Sequence, residues 1–301
     1  MTILAIAFTP NYYVPAATML RSLLDSSPQG LFRVVCLVNE EIPKNLRDEL
    51  IWMGDGRLSF EYVDMKGKLK EIYIDPRYTE AASFRLLLPE LLPQYKSIVY
   101  IDCDVIVRQD IDELYNNISL KDNYIAAVYE APIENQAERF KALGCDPNKY
   151  FNSGFLIMNL EKMREDKVSE KLVEACKVPY LEFPDQDALN KICQGHVLPL
   201  DPVYNGIRTF FLPQYKADFL KQYSEEQWDA VQKSGTIHYT GGKPWDILTV
   251  QFDKWWRTYE SLPYQISEQW IPPKYKFWKF YKIKPIGATI EFFRSLKRIF
   301  K

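Results

Sequence analysis

The sequence predicts an α/β protein organised around a mostly parallel sheet. The first observation is a rhythm: short apolar runs of strand character alternate with amphipathic segments of helical period through the first hundred residues. Such βαβ alternation implies right-handed crossovers between parallel strands. The second is that these runs are continuously apolar rather than alternating, as expected of strands covered on both faces. The third is size. A chain of 301 residues, 47% hydrophobic and 26% charged, can bury one large α/β domain with an appendage.

Taken in order, Ile3–Phe8 is a buried first strand and Val14–Ser26 a helix with Ala17, Leu20, Leu23 and Leu24 on one face. Phe32–Asn39 is a second strand, followed by a helix over Lys44–Met53 and a strand over Leu58–Val63. A helix over Ala81–Leu92 then leads into Ser97-Ile-Val-Tyr-Ile-Asp-Cys-Asp-Val-Ile-Val-Arg108. The second half is less regular. Phe155–Asn159 reads as a strand, Leu160–Lys177 and Asp185–Cys193 as helices, and Thr236–Tyr239 as a short strand meeting a glycine turn.

The loop after the first strand, Thr9-Pro-Asn-Tyr-Tyr13, contains no glycine, and none precedes Gly30. A dinucleotide fingerprint would need G-x-G-x-x-G there, and no G-x-x-x-x-G-K-[ST] loop occurs anywhere, so dinucleotide oxidoreductases and P-loop ATPases are disfavoured. The five cysteines are odd in number, widely spaced and without C-x-x-C spacing, which fits a reduced, cytoplasmic protein. The apolar start is too short for a signal peptide, and no run of 18 apolar residues exists.

Asp102 and Asp104 are the chain's most informative residues. Two like charges at the end of a buried strand cost stability, and become sensible if a divalent cation holding a phosphorylated ligand sits between them. In α/β sheets ligands bind beyond the carboxyl ends of strands, where this pair falls. Asp-x-Asp recurs at 110/112 and 185/187. Asp110 and Asp112 fit a helix cap and first turn. His238 precedes Thr240-Gly-Gly-Lys243; with the two aspartates it makes a mixed N/O set suited to Mn²⁺, and Lys243 is placed to meet an anion. The other histidine, His196, reads as structural.

These pieces together resemble glycosyltransferase family 8, the retaining, metal-dependent sugar transferases of GT-A fold, a Rossmann-like mostly parallel sheet flanked by helices. The matching segments occur in the family's order: Phe8-Thr-Pro-Asn-Tyr12, Ser83-Phe-Arg85, Tyr100-Ile-Asp-Cys-Asp104, Phe151-Asn-Ser-Gly-Phe155, Asp185-Gln-Asp187 and His238-Tyr-Thr-Gly-Gly-Lys-Pro-Trp245. The resemblance covers about residues 1–250. It implies a UDP-sugar donor and Mn²⁺, with Mg²⁺ as the alternative, held by Asp102, Asp104 and His238. Donor-binding residues would be Thr9, Asn11, Tyr12, Arg85, Asp102, Cys103, Asn152, Ser153, Gly241 and Lys243. Asp185, Gln186 and Asp187 would lie on the reacting face, as catalytic residues. Many relatives have Asp where Thr9 stands, and an acceptor-side carboxylate corresponds only loosely to Glu130.

The implied function is a hexosyltransferase that moves glucose or galactose from a UDP-sugar to a cell-surface glycan or glycolipid, as the bacterial lipooligosaccharide enzymes do. Three alternatives stay open: a self-glucosylating, glycogenin-like enzyme, a sugar nucleotidyltransferase, and a non-catalytic sugar-nucleotide binder. The expected catalytic domain spans 1–262 and a basic-aromatic tail 263–301, and the Pro-rich Trp270-Ile-Pro-Pro273 is the boundary signal that composition offers. Residues 271–301 hold seven Lys, two Arg and one Glu, a net +8 against −2 for the whole chain, which leaves about −10 for the rest. Cations interleave with aromatics over 274–284, and 290–301 has an amphipathic helical pattern. That composition points to an anionic membrane surface on the cytoplasmic face, and the acidic body argues against nucleic acid.

Overall fold

The computed structural model describes residues 1–69, 72–74, 79–178, 181–283 and 287–291. Its strands are β1 (Thr2–Ala7), β2 (Phe32–Val38), β3 (Leu58–Asp64), β4 (Ile98–Ile101), β5 (Val105–Ile106), β6 (Ile125–Tyr129), β7 (Phe151–Met158), β8 (Val197–Pro199) and β9 (Ile237–His238). Seven of them form one sheet in the order β3-β2-β1-β4-β7-β6-β8. Its strands all run parallel except β7, which is antiparallel to both β4 and β6. β5 and β9 pair separately as an antiparallel ribbon.

Alternate residues of β1 serve opposite faces, as the pleat requires. Leu4 and Ile6 pack with the Tyr13–Ser26 helix residues Leu20, Leu23 and Leu24. Ile3 and Ala5 pack on the other face with Phe84, Leu160, Leu172 and Leu189. With β1 buried on both sides, only an uninterrupted apolar strand fits there, which is why its sequence does not alternate.

Two expected helices differ. Ala81–Leu92 is a 3₁₀ run over Glu80–Leu87 followed by one α-turn over Leu88–Leu91. Pro89 has no N–H and would clash with the preceding turn, so the α-helix can only begin with this proline in its first turn. Leu160–Lys177 is two helices, Leu160–Glu165 and Val168–Ala175. Tyr124 and Lys162 hold the Asp166 carboxylate at the end of the first. Lys167 then turns left-handed (φ 53°), which sets Val168 and Leu172 fully into the core.

β7 begins four residues before the expected Phe155. Because it alone runs backwards, its first residues Asn152, Ser153 and Gly154 lie at the edge where the parallel strands end. The tail's described part is anchored to the body by aromatics. Trp278, on the helix Tyr275–Tyr281, is buried and stacks near-parallel on Trp256, ring centroids 6.1 Å apart. The amphipathic pattern expected over 290–301 falls from 292 onward outside the described residues. Among the described residues, no helix is long and apolar enough to cross a membrane.

Candidate active site

The backbone assembles the aspartate pair and the distant imidazole. After β4 the chain turns through Asp102-Cys-Asp104 into β5, whose Val105 is paired with His238 of β9. The Asp102 N–H donates to Gly154 O at 2.9 Å, and the Tyr239 N–H donates to Asp104 O at 3.1 Å. The turn is thus stapled to both β7 and the segment carrying His238. Asp102, Asp104 and His238 each present a ligand atom, all within 4.8 Å of one another. His238 Nε2 lies 3.4 Å from Asp104 Oδ1 and 3.8 Å from Asp102 Oδ2.

The set fits a divalent cation. It offers two carboxylates and one imidazole to a common point, and Asp104 and His238 are buried while Asp102 is half-buried. Gly154 makes the convergence sterically feasible. A Cβ there would stand 2.1 Å from His238 Cε1 and 2.8 Å from Asp102 Oδ2. Burial alone would raise the Asp104 carboxyl, but Lys243 and His238 beside it more than offset this and hold it below the usual carboxylate range. Lys243 Nζ donates to Asp104 Oδ2 and, at 2.9 Å, to Tyr239 O.

Arg85 ties Asp102 to Asp185. It is 3% exposed, lies over the Tyr100 ring at 4.3 Å, and donates to Asp102 Oδ1 at 2.8 Å and to Ser153 O. Its Nε is 3.2 Å from Asp185 Oδ2. Burial would lower the guanidinium's pKa, but Asp102, Tyr100 and Asp185 reverse the sign and keep it charged. Tyr100 Oη also donates to Asp102 Oδ1, at 2.9 Å.

Gln186 sits in an amide-rich wall. Its Oε1 accepts from Ser153 N at 3.0 Å and Asn152 Nδ2 at 3.1 Å; its Nε2 donates to Glu130 Oε1 and Tyr150 Oη, each at 3.2 Å. Asn152 Nδ2 also donates to Glu130, at 3.3 Å. Burial pushes the Glu130 carboxyl up, and it does the same to Asp185. Asp187 is committed elsewhere. Its oxygens take two bonds from Arg139 (2.9 and 3.0 Å), one from Tyr150 Oη and one from Phe183 N.

Tyr12 and Thr9 are half-buried and Asn11 is exposed, all at the end of β1. Burial and the Asp104 carboxylate push the Tyr12 phenol up. The Tyr12 ring meets Trp245 edge-on at 5.8 Å, which joins this loop to the glycine turn. Gly241 there is left-handed (φ 81°), a conformation that suits glycine. The turn is held from behind, since Trp256 Nε1 donates to Pro244 O at 3.1 Å and Lys274 N to Trp245 O at 3.2 Å. Cys103 is buried, with its Sγ 3.6 Å from Ala7 O. His196, expected to be structural, packs on Tyr124 with centroids 4.5 Å apart.

Two site residues lay outside the sequence expectations. One is Gly154, whose missing side chain leaves room for His238 and Asp102 to approach each other. The other is Asn205, fully buried, whose Oδ1 is 3.1 Å from His238 Nδ1 and whose Nδ2 donates to Asn152 Oδ1 at 3.0 Å. An Asn-Gly pair in a loop reads as a turn signal, which conceals such a role.

Comparison with known proteins places the chain in a family. A sequence model of glycosyl transferase family 8 matches residues 3–249. General stress protein A of Bacillus subtilis is 31% identical over 256 residues, covering 79% of this chain and 85% of that one. A lipopolysaccharide 1,2-glucosyltransferase of Escherichia coli K12 is 29% identical over 232 residues, 74% of this chain and 62% of its own. Among solved structures, the galactosyltransferase LgtC in complex with donor and acceptor sugar analogues superposes with a TM-score of 0.71 at 23% identity, covering 92% of this chain and 99% of LgtC.

Proposed function

The chain belongs to glycosyl transferase family 8 and is a glycosyltransferase with the GT-A fold; from that premise we propose that it transfers a hexose, glucose or galactose, with retention from a UDP-sugar to a cell-surface glycan or glycolipid. The observation that carries this reading is the convergence of Asp102, Asp104 and His238 at the carboxyl edge of the sheet. Asp102, Asp104 and His238 would hold a divalent cation, Mn²⁺ in our reading, which would supply positive charge to offset that of the diphosphate.

The chain's own residues supply the rest. Asn11 and Tyr12 hold the base and ribose beside Thr9, and Lys243, two residues after Gly241, binds the diphosphate. Arg85, fixed by Asp102 and Asp185, orients the donor side of the pocket. Asn152, Ser153 and Gln186 line the transferred sugar. For retention we favour attack by the acceptor hydroxyl on the leaving group's own face, with the departing phosphate taking the proton. In support, Asp187 is engaged by Arg139 and Asp185 by Arg85, while Gln186, as an amide, is a poor nucleophile. A glycosyl adduct found by mass spectrometry on Asp185, Asp187 or Glu130 would overturn this order of events.

A panel of UDP-sugars with Mn²⁺, read as UDP release, tests the function. Wild type should turn over one hexose donor and Asp104→Ala should not; release that is equal in both refutes the reading. We further propose that the tail meets an anionic membrane surface on the cytoplasmic face. Exposed Ile271, Phe280 and Ile283 stand among exposed Lys274, Lys276, Lys279 and Lys282, in support of this. Phe280→Ser with Ile283→Ser should reduce co-sedimentation with anionic vesicles, and unchanged sedimentation would count against it.

A further inference from the structure

His238 must present a lone pair on Nε2 to share a cation with the aspartates, so whatever sets its tautomer sets the site. The structure fixes this by a chain of obligatory donors. The main-chain N–H of Gly154 can only donate, and it reaches Asn152 at 3.0 Å, so the atom it meets is the amide oxygen Oδ1. Ser153 N fixes Gln186 Oε1 in the same way at 3.0 Å, which requires the other atom of Asn152, 3.1 Å from that oxygen, to be the nitrogen. Two backbone groups therefore agree on the orientation of Asn152.

Asn205 faces Asn152 Oδ1 at 3.0 Å and must present its nitrogen there. Its oxygen is then the atom 3.1 Å from His238 Nδ1. A carbonyl oxygen accepts, so the ring nitrogen that meets it carries the hydrogen, and Nε2 is left toward Asp102 and Asp104. The backbone is built for this contact. Gly206 N donates to Thr236 O and His238 N donates to Gly206 O, each at 2.9 Å, which lays Asn205-Gly206 against β9. A Cβ at Gly206 would be 2.7 Å from Thr236 O and 2.9 Å from the Phe211 ring.

We propose that Asn205 is the positioning residue that holds His238 in its Nδ1–H form, with the Gly154 amide setting the direction of the relay through Asn152. This rests on the reading of Asp102, Asp104 and His238 as a cation site, and the orienting partner of a metal-ligating histidine is worth ~10–100-fold in metal affinity.

The test uses the full chain. The chain has two histidines, so long-range ¹H–¹⁵N spectra of the metal-free protein show two rings, and His238→Gln identifies which is which. Wild type should give the Nδ1–H signature for His238. Asn205→Leu should lose that signature and bind Mn²⁺ ~10–100-fold more weakly by calorimetry. Asn205→Asp keeps the accepting oxygen; it should retain the signature and bind Mn²⁺ at least as tightly as wild type, even if it melts earlier, which loss of packing alone would not produce. This second variant also decides the matter if Asn205→Leu does not fold. An Nε2–H ring in wild type, or Asn205→Leu with unchanged signature and affinity, overturns the proposal. Wild type that binds no Mn²⁺ removes the cation reading and the positioning role with it. That result is distinct from failure of the relay, because Asn205→Leu then alters the tautomer with no affinity to lose.

Discussion

The Asp102–Asp104 turn and the Asp185–Asp187 helix start share one spacing and have opposite fates. In the turn between β4 and β5 the two carboxylates converge on His238. At the start of the helix Pro184–Cys193, residues two apart project about 200° apart around the axis, so the pair is split. Asp185 goes to Arg85 and Asp187 to Arg139. Spacing alone therefore does not make a ligand pair; the backbone beneath it does. The pair 110/112 shows a third outcome. Asp110 caps the helix Ile111–Asn117 by accepting from Glu113 N at 3.0 Å, and Thr2 donates to Asp112 at 2.6 Å.

The largest effect that would break this comparison is on catalysis. Asp104→Asn should cut transfer by ~10³-fold or more, since a lost cation ligand is worth several kcal/mol at the transition state. Chelation should abolish activity and added Mn²⁺ restore it. Equal activity in Asp104→Asn and wild type would place the pair outside the chemistry. At the helix the loss should fall on folding. Asp187→Ala removes a buried carboxylate that accepts from Tyr150 Oη, Phe183 N and the half-buried Arg139, and should cost roughly 3 kcal/mol in urea unfolding. A variant with wild-type stability and no activity would return Asp187 to the reacting face. Asp110→Ala should cost about 1 kcal/mol, with kinetics unchanged.

Glu130 sharpens the contrast through pH. Where Asp104 has cationic neighbours, Glu130 accepts from amides, and burial raises its pKa above the ordinary 4.5. The folded state then binds this proton more tightly than the unfolded one. Stability should fall as pH rises from 4.5 through the raised value, and stay lower above it. Glu130→Gln keeps an acceptor and removes that decline, so melting curves across pH 4–8 should diverge, with the variant the more stable at pH 7. Parallel curves would contradict the assigned shift.

The parallel half of the fold was legible because buried strands and amphipathic helices leave periodic signatures. Pro89 and Lys167 were not, since each redirects a helix through local geometry that periodicity averages over. The aspartate pair and His238 could be read from residue type and place. Gly154 and Asn205 could not. One contributes by lacking an atom and the other by a contact made 33 positions away, and a linear sequence displays neither. The start of β7 is hidden for a related reason, because its early residues Asn152 and Ser153 are polar yet buried, held by side chains from other elements.

The ribbon between β5 and β9 joins residues more than 130 positions apart in the chain. During synthesis, a nascent polypeptide that has reached residue 200 already carries both aspartates but not His238. An ion held by all three side chains would therefore be captured only after most of the chain has left the ribosome, so its binding would follow folding of the sheet rather than nucleate it.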